Sequence, residues 1–233
     1  MSFPQDVIRI ETLDLSLTPY DWAFARERRA EIASHFEAAR QEKPALWNGR
    51  ILLMHEREFA GTTLRGQYFE TDFASFMEWR DYGFPASPVA NCFALGVLQG
   101  SDDGYVLGVM GEHTMNAGKV YFPGGTPDPN DIFGTHVDLD ASVRREVQEE
   151  TGLAPSHFEI DPGWHCVPGQ SLIALLKPMR ARETADRLRE RIMDHIASEQ
   201  EPELAGAIVV RDAADIRPTM PDFVQTFLRS LKR

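Results

Sequence analysis

Cysteine is scarce in this sequence: two occur in 233 residues, Cys92 and Cys166. They form no CxxC pair, and two distant thiols build neither a disulfide framework nor a cysteine-based metal cluster. They read as free thiols in a reducing cytosol. No stretch approaches the roughly 20 apolar residues of a membrane span. The opening Met1-Ser-Phe-Pro-Gln-Asp6 lacks the basic region and apolar run of a signal peptide. A soluble, cytoplasmic protein without a membrane partner is the expectation. Basic residues are also in deficit, 24 against 36 acidic, for a formal net charge of −12. A surface this negative repels a polyanion, which argues against nucleic acid as a partner. It leaves room for a small phosphorylated ligand, because bound divalent cations invert the local charge.

Several catalytic motifs are missing as well. A phosphate loop fails twice: Gly118-Lys119 runs into Val120, and His113 stands where the loop needs glycine. Neither GxGxxG nor GxSxG occurs, and the seven histidines show no HxH or HExxH spacing.

What is present has the composition of a folded protein, 42% hydrophobic and 26% charged, so a packed core is expected rather than disorder. Residues 7–17 alternate apolar and polar and predict a strand. After Pro19, Asp21 is placed to cap a helix running to about Glu42. Residues 50–59 and 63–70 predict two strands joined at Ala60-Gly61. Thr71 or Asp72 opens a short helix through Tyr82, stopped by Gly83 and Pro85. Pro85 and Pro88 mark the best boundary, dividing an N-terminal accessory or substrate-specificity region (1–88) from a catalytic domain (89–233). Asn91–Leu98 and Tyr105–Met110 flank a turn-rich segment and predict a hairpin. Val120–Phe122 is a short strand leading into Pro123-Gly124-Gly125. A polar loop follows, then a helix from about Asp138 to Thr151 closed by Gly152. Residues 158–178 suggest two strands, 180–198 a charged helix, 208–210 a strand, and 221–231 a terminal helix. Strands and helices alternate without a strict βαβ rhythm, which favours an α+β fold or an α/β/α sandwich.

The segment that carries chemistry is Arg145-Glu146-Val147-Gln148-Glu149-Glu150-Thr151-Gly152-Leu153. At 3.6 residues per turn, Glu146, Glu149 and Glu150 share a helical sector roughly 100° wide. Leu139, Val143 and Val147 point into nearly the same sector, so the acids sit at the edge of the buried face. Unpaired carboxylates are costly there, and something cationic is expected beside them. Crowded oxygen ligands suit Mg²⁺ or Mn²⁺ better than zinc. Arg145 can pair with one acid and orient it.

These nine residues, with Phe122-Pro123-Gly124-Gly125 upstream, resemble the box of the Nudix hydrolase family: Arg-Glu, an aliphatic residue, any residue, Glu-Glu, any residue, Gly, an aliphatic residue. The resemblance implies a Nudix α/β/α sandwich with a mixed sheet. It also implies metals held by Glu146, Glu149, Glu150 and the Gly125 carbonyl. The metals would activate a water that cleaves the diphosphate of a nucleotide-linked small molecule. It makes Glu149 and Arg145 catalytic residues. A late carboxylate is also expected before the strand near 208, with Glu201 favoured over Glu199 and Glu203. The first half of the box departs from the pattern. Its Glu, eight positions before the arginine, falls on Val137, and twenty positions separate Gly125 from Arg145 where about fourteen are usual. Asp138 or Asp140 is the expected substitute, unless both are helix caps.

Leu46-Trp47-Asn48-Gly49, the first hairpin and Gly66-Gln67-Tyr68-Phe69 are faintly similar to UDP-sugar diphosphatases of that family. On this reading Arg50, Arg65 and Tyr68 bind substrate, and a UDP-sugar is the expected one. ADP-ribose or a dinucleotide is the alternative substrate, and a ligand-sensing module or an isomerase the alternative function. Phe73, Phe76, Met77 and Trp79 either stack on a base or pack a helix into the core, and their spacing favours packing.

Overall fold

The computed structural model describes residues 6–85 and 87–231. The start of the chain, on which the reading of no signal peptide rests, lies largely outside them. Among the described residues no helix is long and apolar enough to cross a membrane.

Strand β5 (Asn91–Gln99) is buried over all but its last residue. Burial on both faces calls for an apolar run rather than alternation, and the sequence supplies one. Cys92, Ala94 and Leu98 enter one core, while Phe93, Leu95 and Val97 enter another on the opposite face. β5 lies parallel to β13 (Leu172–Ala181) over nine residue pairs and antiparallel to β6 (Tyr105–Met110). The sheet runs β1 (Ile8–Ile10), β12 (Trp164–Val167), β13, β5, β6, β14 (Leu204–Val210). Three short strands attach to it: β7 (Val120–Tyr121) on β6, β8 (Gly124–Gly125) on β5, and β11 (Phe158–Ile160) on β13. Helices α4 (Leu139–Thr151) and α5 (Ala185–Ser198) cover the first face, and α6 (Asp222–Ser230) covers the second. The expectation of an α+β fold with a mixed sheet between helical layers is met.

A second, five-stranded sheet has the order β3 (Arg50–Ala60), β4 (Thr63–Asp72), β2 (Thr12–Leu17), β10 (His136–Val137), β9 (Ile132–Phe133). Leu15, Leu52, Met54, Leu64 and Tyr68 join the same core as α4 and α5. Leu53 and Phe69 point the other way, to Trp22, Phe76 and Trp79 beneath α1 (Ala23–Glu27), α2 (Arg29–Glu42) and α3 (Phe73–Asp81). Strand pairing crosses residue 88 in both directions. β1 belongs to the large sheet, through Ile8 opposite Cys166. β9 and β10 belong to the small one, through His136 opposite Ser16.

Four local expectations need correction. The strand over 7–17 divides at Glu11, its halves joining different sheets. Asp21 does not cap the helix that follows. Trp22 holds the cap position without a side-chain bond, while its ring is drawn into the aromatic cluster against Phe69 and Trp79. That helix breaks at Arg28, whose guanidinium donates to Glu78 at 2.8 Å and lies over the Tyr82 ring. The segment 158–178 holds three strands, and the last continues to Ala181, which delays the charged helix to Ala185.

Candidate active site

Helix α4 starts where Asp138 accepts hydrogen bonds from the N–H groups of Asp140 and Ala141, satisfying two donors that a first turn otherwise leaves open. It ends at Gly152 in the left-handed region. Leu139, Val143 and Val147 are each 1% exposed or less, so the apolar stripe is the packing face. Val147 comes down on Gly96 of β5, where a Cβ would sit 2.3 Å from its Cγ2. The bare glycine lets the helix approach the sheet closely, which brings the next turn of α4 against β8.

There Gly124 adopts φ 134°, a conformation that favours glycine, and a Cβ on it would meet the Ala94 carbonyl oxygen at 2.2 Å. Its N–H donates to Glu150 Oε1 at 2.7 Å. The Glu150 side chain is buried, and its other oxygen, Oε2, has no hydrogen-bond partner. Burial holds the Glu150 carboxyl well above the usual carboxylate range, and the Glu203 charge pushes the same way. Burial also pushes Glu146 up to about 7, with Arg145 pulling against it and Glu149 and Glu203 adding to it. Arg145 holds this cluster together, pairing with Glu146 at 2.7 Å and donating to Glu149 at 3.1 Å and to Asp131 at 3.1 Å.

Asp131 was not singled out from the sequence. It is 2% exposed and also accepts from Ser142 Oγ and from the Asp128 N–H. Counted forward from Gly125, it occupies the acidic place of the Nudix pattern. Counted back from Arg145, that place falls on Val137. The difference is the six residues Ile132–Val137, which are the β9–β10 hairpin itself. Its base closes where Asp138 N–H donates to the Asp131 carbonyl at 2.9 Å, so the insertion loops out without separating Asp131 from the helix. Asp138 and Asp140, the substitutes expected from the sequence, are both engaged in other contacts. Asp138 is the cap, and Asp140 pairs with Lys177 at 2.5 Å and Arg144 at 2.6 Å.

A cavity of about 690 Å³ opens beside the acids. Gly124, Gly125, Glu201 and Glu203 are among its lining residues. Glu203, rather than Glu201, is the late acid whose charge bears on Glu146 and Glu150. Its own carboxyl is raised, mainly by desolvation, although the side chain reaches solvent at the cavity rim. Glu199 is placed elsewhere, 3.3 Å from His195.

The expected substrate-binding trio does not assemble. Tyr68 is fully buried and donates to the Cys92 carbonyl at 2.9 Å. Arg50 pairs with Glu70 at 2.6 Å and lines a different hollow, beside α1 and α2. Arg65 is exposed on β4, paired with Glu58 and Asp14. Met77 and Trp79 are core residues, whereas Phe73 and Phe76 face the cavity.

Oxygen donors from Glu146, Glu149, Glu150 and Glu203 suit a hard divalent cation by type, and the unpartnered Glu150 Oε2 fits one. As the side chains stand, no group of three or more acids, histidines or cysteines among the described residues is set to hold a metal ion. Arg145 instead takes up the charge of Glu146 and Glu149.

No family model matches the chain, and no curated protein does. Solved structures similar to it include the MutT protein from Methanosarcina mazei Go1, with 21% identity over 62% of this chain and 96% of that one, at a TM-score of 0.40. A Nudix hydrolase from M. smegmatis, RenU, shares 12% identity over 60% and 81%, at 0.39. A putative Nudix hydrolase family member from Chromobacterium violaceum shares 14% over 62% and 78%, at 0.37.

Proposed function

We propose that the protein is a divalent-metal-dependent hydrolase cleaving the diphosphate of a nucleotide-linked small molecule. The observation that carries this reading is Glu150: a buried carboxylate with one oxygen on a backbone N–H, the other unpartnered, and the charges of Glu203, Glu146 and Glu149 bearing on it. A cation beside it would offset the cost of keeping this buried carboxylate charged, which a proton otherwise relieves. Mg²⁺ or Mn²⁺ held by Glu146, Glu150 and Glu203 would supply Lewis-acid polarisation of the diphosphate and lower the pKa of water at the site. The chain's own parts divide the remaining work. Glu146 and Glu150 supply ligands from α4, with Glu203 beside them. Gly124 fixes the Glu150 carboxylate. Arg145, locked by Asp131, aligns Glu146 and Glu149. Glu149, whose side chain is 61% exposed, is the acid best placed to take the proton of the attacking water.

The substrates to compare are UDP-glucose, ADP-ribose, NADH and coenzyme A, with Mg²⁺ and with EDTA. Product formation from at least one, abolished by EDTA, is expected. Glu150→Gln should lower both turnover and Mn²⁺ affinity by orders of magnitude while the fold survives. Wild-type Mn²⁺ binding in that variant sinks the metal assignment. The Arg145 pairing with Glu146 and Glu149 favours one rival reading, a ligand-sensing module. Tight nucleotide binding with no turnover of any substrate would establish it.

A further inference from the structure

A second hollow, of about 670 Å³, lies between α1 and α2 on one side and the start of β3 with the end of β4 on the other. It shares no lining residue with the cavity beside Glu203. Ile32, Phe36 and Phe69 give it an apolar floor. Its charged lining is three arginines, Arg26, Arg29 and Arg50, and three acids, Asp21, Glu70 and Asp72.

The acceptors in this lining are engaged. Asp21 accepts from Arg26, Glu70 from Arg50 at 2.6 Å, and Asp72 from the Ser75 N–H at 2.9 Å. Asn48 Oδ1 accepts from the Ala74 N–H at 2.7 Å. Donors are left over. Arg29 has no hydrogen bond or ion pair among the described residues. Arg50 gives its Nε to Glu70, which leaves its terminal nitrogens for another acceptor. Trp22, also in the lining, is 5% exposed, and its indole N–H has no hydrogen-bond partner. A buried donor without an acceptor is unfavourable.

This surplus of donors selects the ligand. A cation finds every carboxylate of the hollow already held by an arginine or a backbone N–H. A sugar hydroxyl that accepts from Arg29 brings a hydrogen that needs an acceptor in turn, and the acceptors are taken. A carboxylate or phosphate group accepts without that demand, and guanidinium groups bind both in bidentate fashion. The apolar floor takes a short hydrocarbon body behind the charge.

We propose that this hollow is a second ligand site, for a small organic oxyanion held by Arg29 and Arg50. Arg29 stands on α2 and Arg50 on β3, so the ligand ties the helix to the small sheet. α2 is otherwise lightly seated, with Ile32 the one buried residue of its fourteen. The helix runs on to Lys43, which donates to the Thr114 carbonyl. Thr114 lines the cavity beside the acids, as do Ala45, Leu46 and Trp47. An oxyanion in the hollow therefore steadies one wall of that cavity and acts as an effector of whatever the cavity binds. None of this rests on the hydrolase reading.

Trp22 lines the hollow and Trp47 the other cavity, so their indole N–H resonances report the two places separately, once assigned through Trp22→Phe and Trp47→Phe. Hexanoate, hexyl phosphate and hexanol are titrated one at a time into the metal-free protein in EDTA. At least one of the two anions should move the Trp22 resonance saturably, and hexanol should not; which anion acts identifies the headgroup. Arg29→Ala and Arg50→Ala should each weaken that binding by roughly tenfold or more. Amide hydrogen exchange over residues 29–47 should slow when the anion is bound. No saturable shift of Trp22 with either anion overturns the proposal. An equal shift with hexanol, which marks an apolar crevice, does the same, as does unchanged affinity in both arginine variants. A shift confined to Trp47 places the anion in the other cavity and also sinks it. Saturable binding with exchange over 29–47 unchanged overturns the tie to α2.

Discussion

Asp131 shows how much a single buried carboxylate can organise. It accepts from Arg145, Ser142 and the Asp128 backbone, and Arg145 in turn grips Glu146 and Glu149. Asp131→Asn keeps the shape and removes the charge. It should weaken metal affinity or activity by roughly 10–100-fold, as removal of an outer partner of a ligand set does. Mn²⁺ titration checks this, and an Asn variant that binds like wild type would leave Arg145 without need of its anchor. The acid stripe on α4 was legible because helical periodicity puts positions 146, 149 and 150 on one side whatever surrounds them. Asp131 was hidden because its place depends on counting across an insertion. Tyr68 misled for a related reason. A tyrosine on a strand has a polar tip wherever it points, and only the fold reveals that the Cys92 carbonyl already satisfies it.

At the scale of elements, the contact between α4 and β5 decides where the acids stand. A methyl group added at Gly96 collides with Val147, a side chain with no room to turn, and also crowds Met179. Gly96→Ala should destabilise the protein by about 1–3 kcal/mol and lower activity by tilting the helix. Adding Val147→Ala should recover part of both, which urea unfolding of the two single variants and the double variant measures. Strict additivity would mean the two residues do not meet. Most element types here were legible, because β5 is a continuous apolar run and α4 carries both caps in its sequence. The β9–β10 hairpin was read as loop. Its two-residue strands carry too little pattern to notice, and the sheet partner of β10, β2, lies more than a hundred residues earlier.

The whole molecule is held by a core that both sheets share. Leu15, Leu52, Met54, Leu64 and Tyr68 from one sheet pack in the same cluster as Val143, Val147 and Leu188 from the helices on the other. Neither part can leave without exposing that surface, so the chain should unfold in urea as one cooperative unit. Trp79→Phe and Trp164→Phe variants, whose remaining fluorescence weights different parts of the molecule, should give the same midpoint. Two separate midpoints would show that the parts are independent.

Strand β1 gives this interdependence a direction in time. Ile8 pairs with Cys166 and Ile10 with Trp164, so β1 leaves the ribosome more than 150 residues before its partner is made. At about 5–20 residues per second, that wait lasts roughly 8–30 seconds. During it Ile8 and Ile10 have no sheet to join, and the core that Tyr68 and Leu64 will close has no second side. A protein threaded in this way depends on whatever shields β1 from aggregation until synthesis has passed β12.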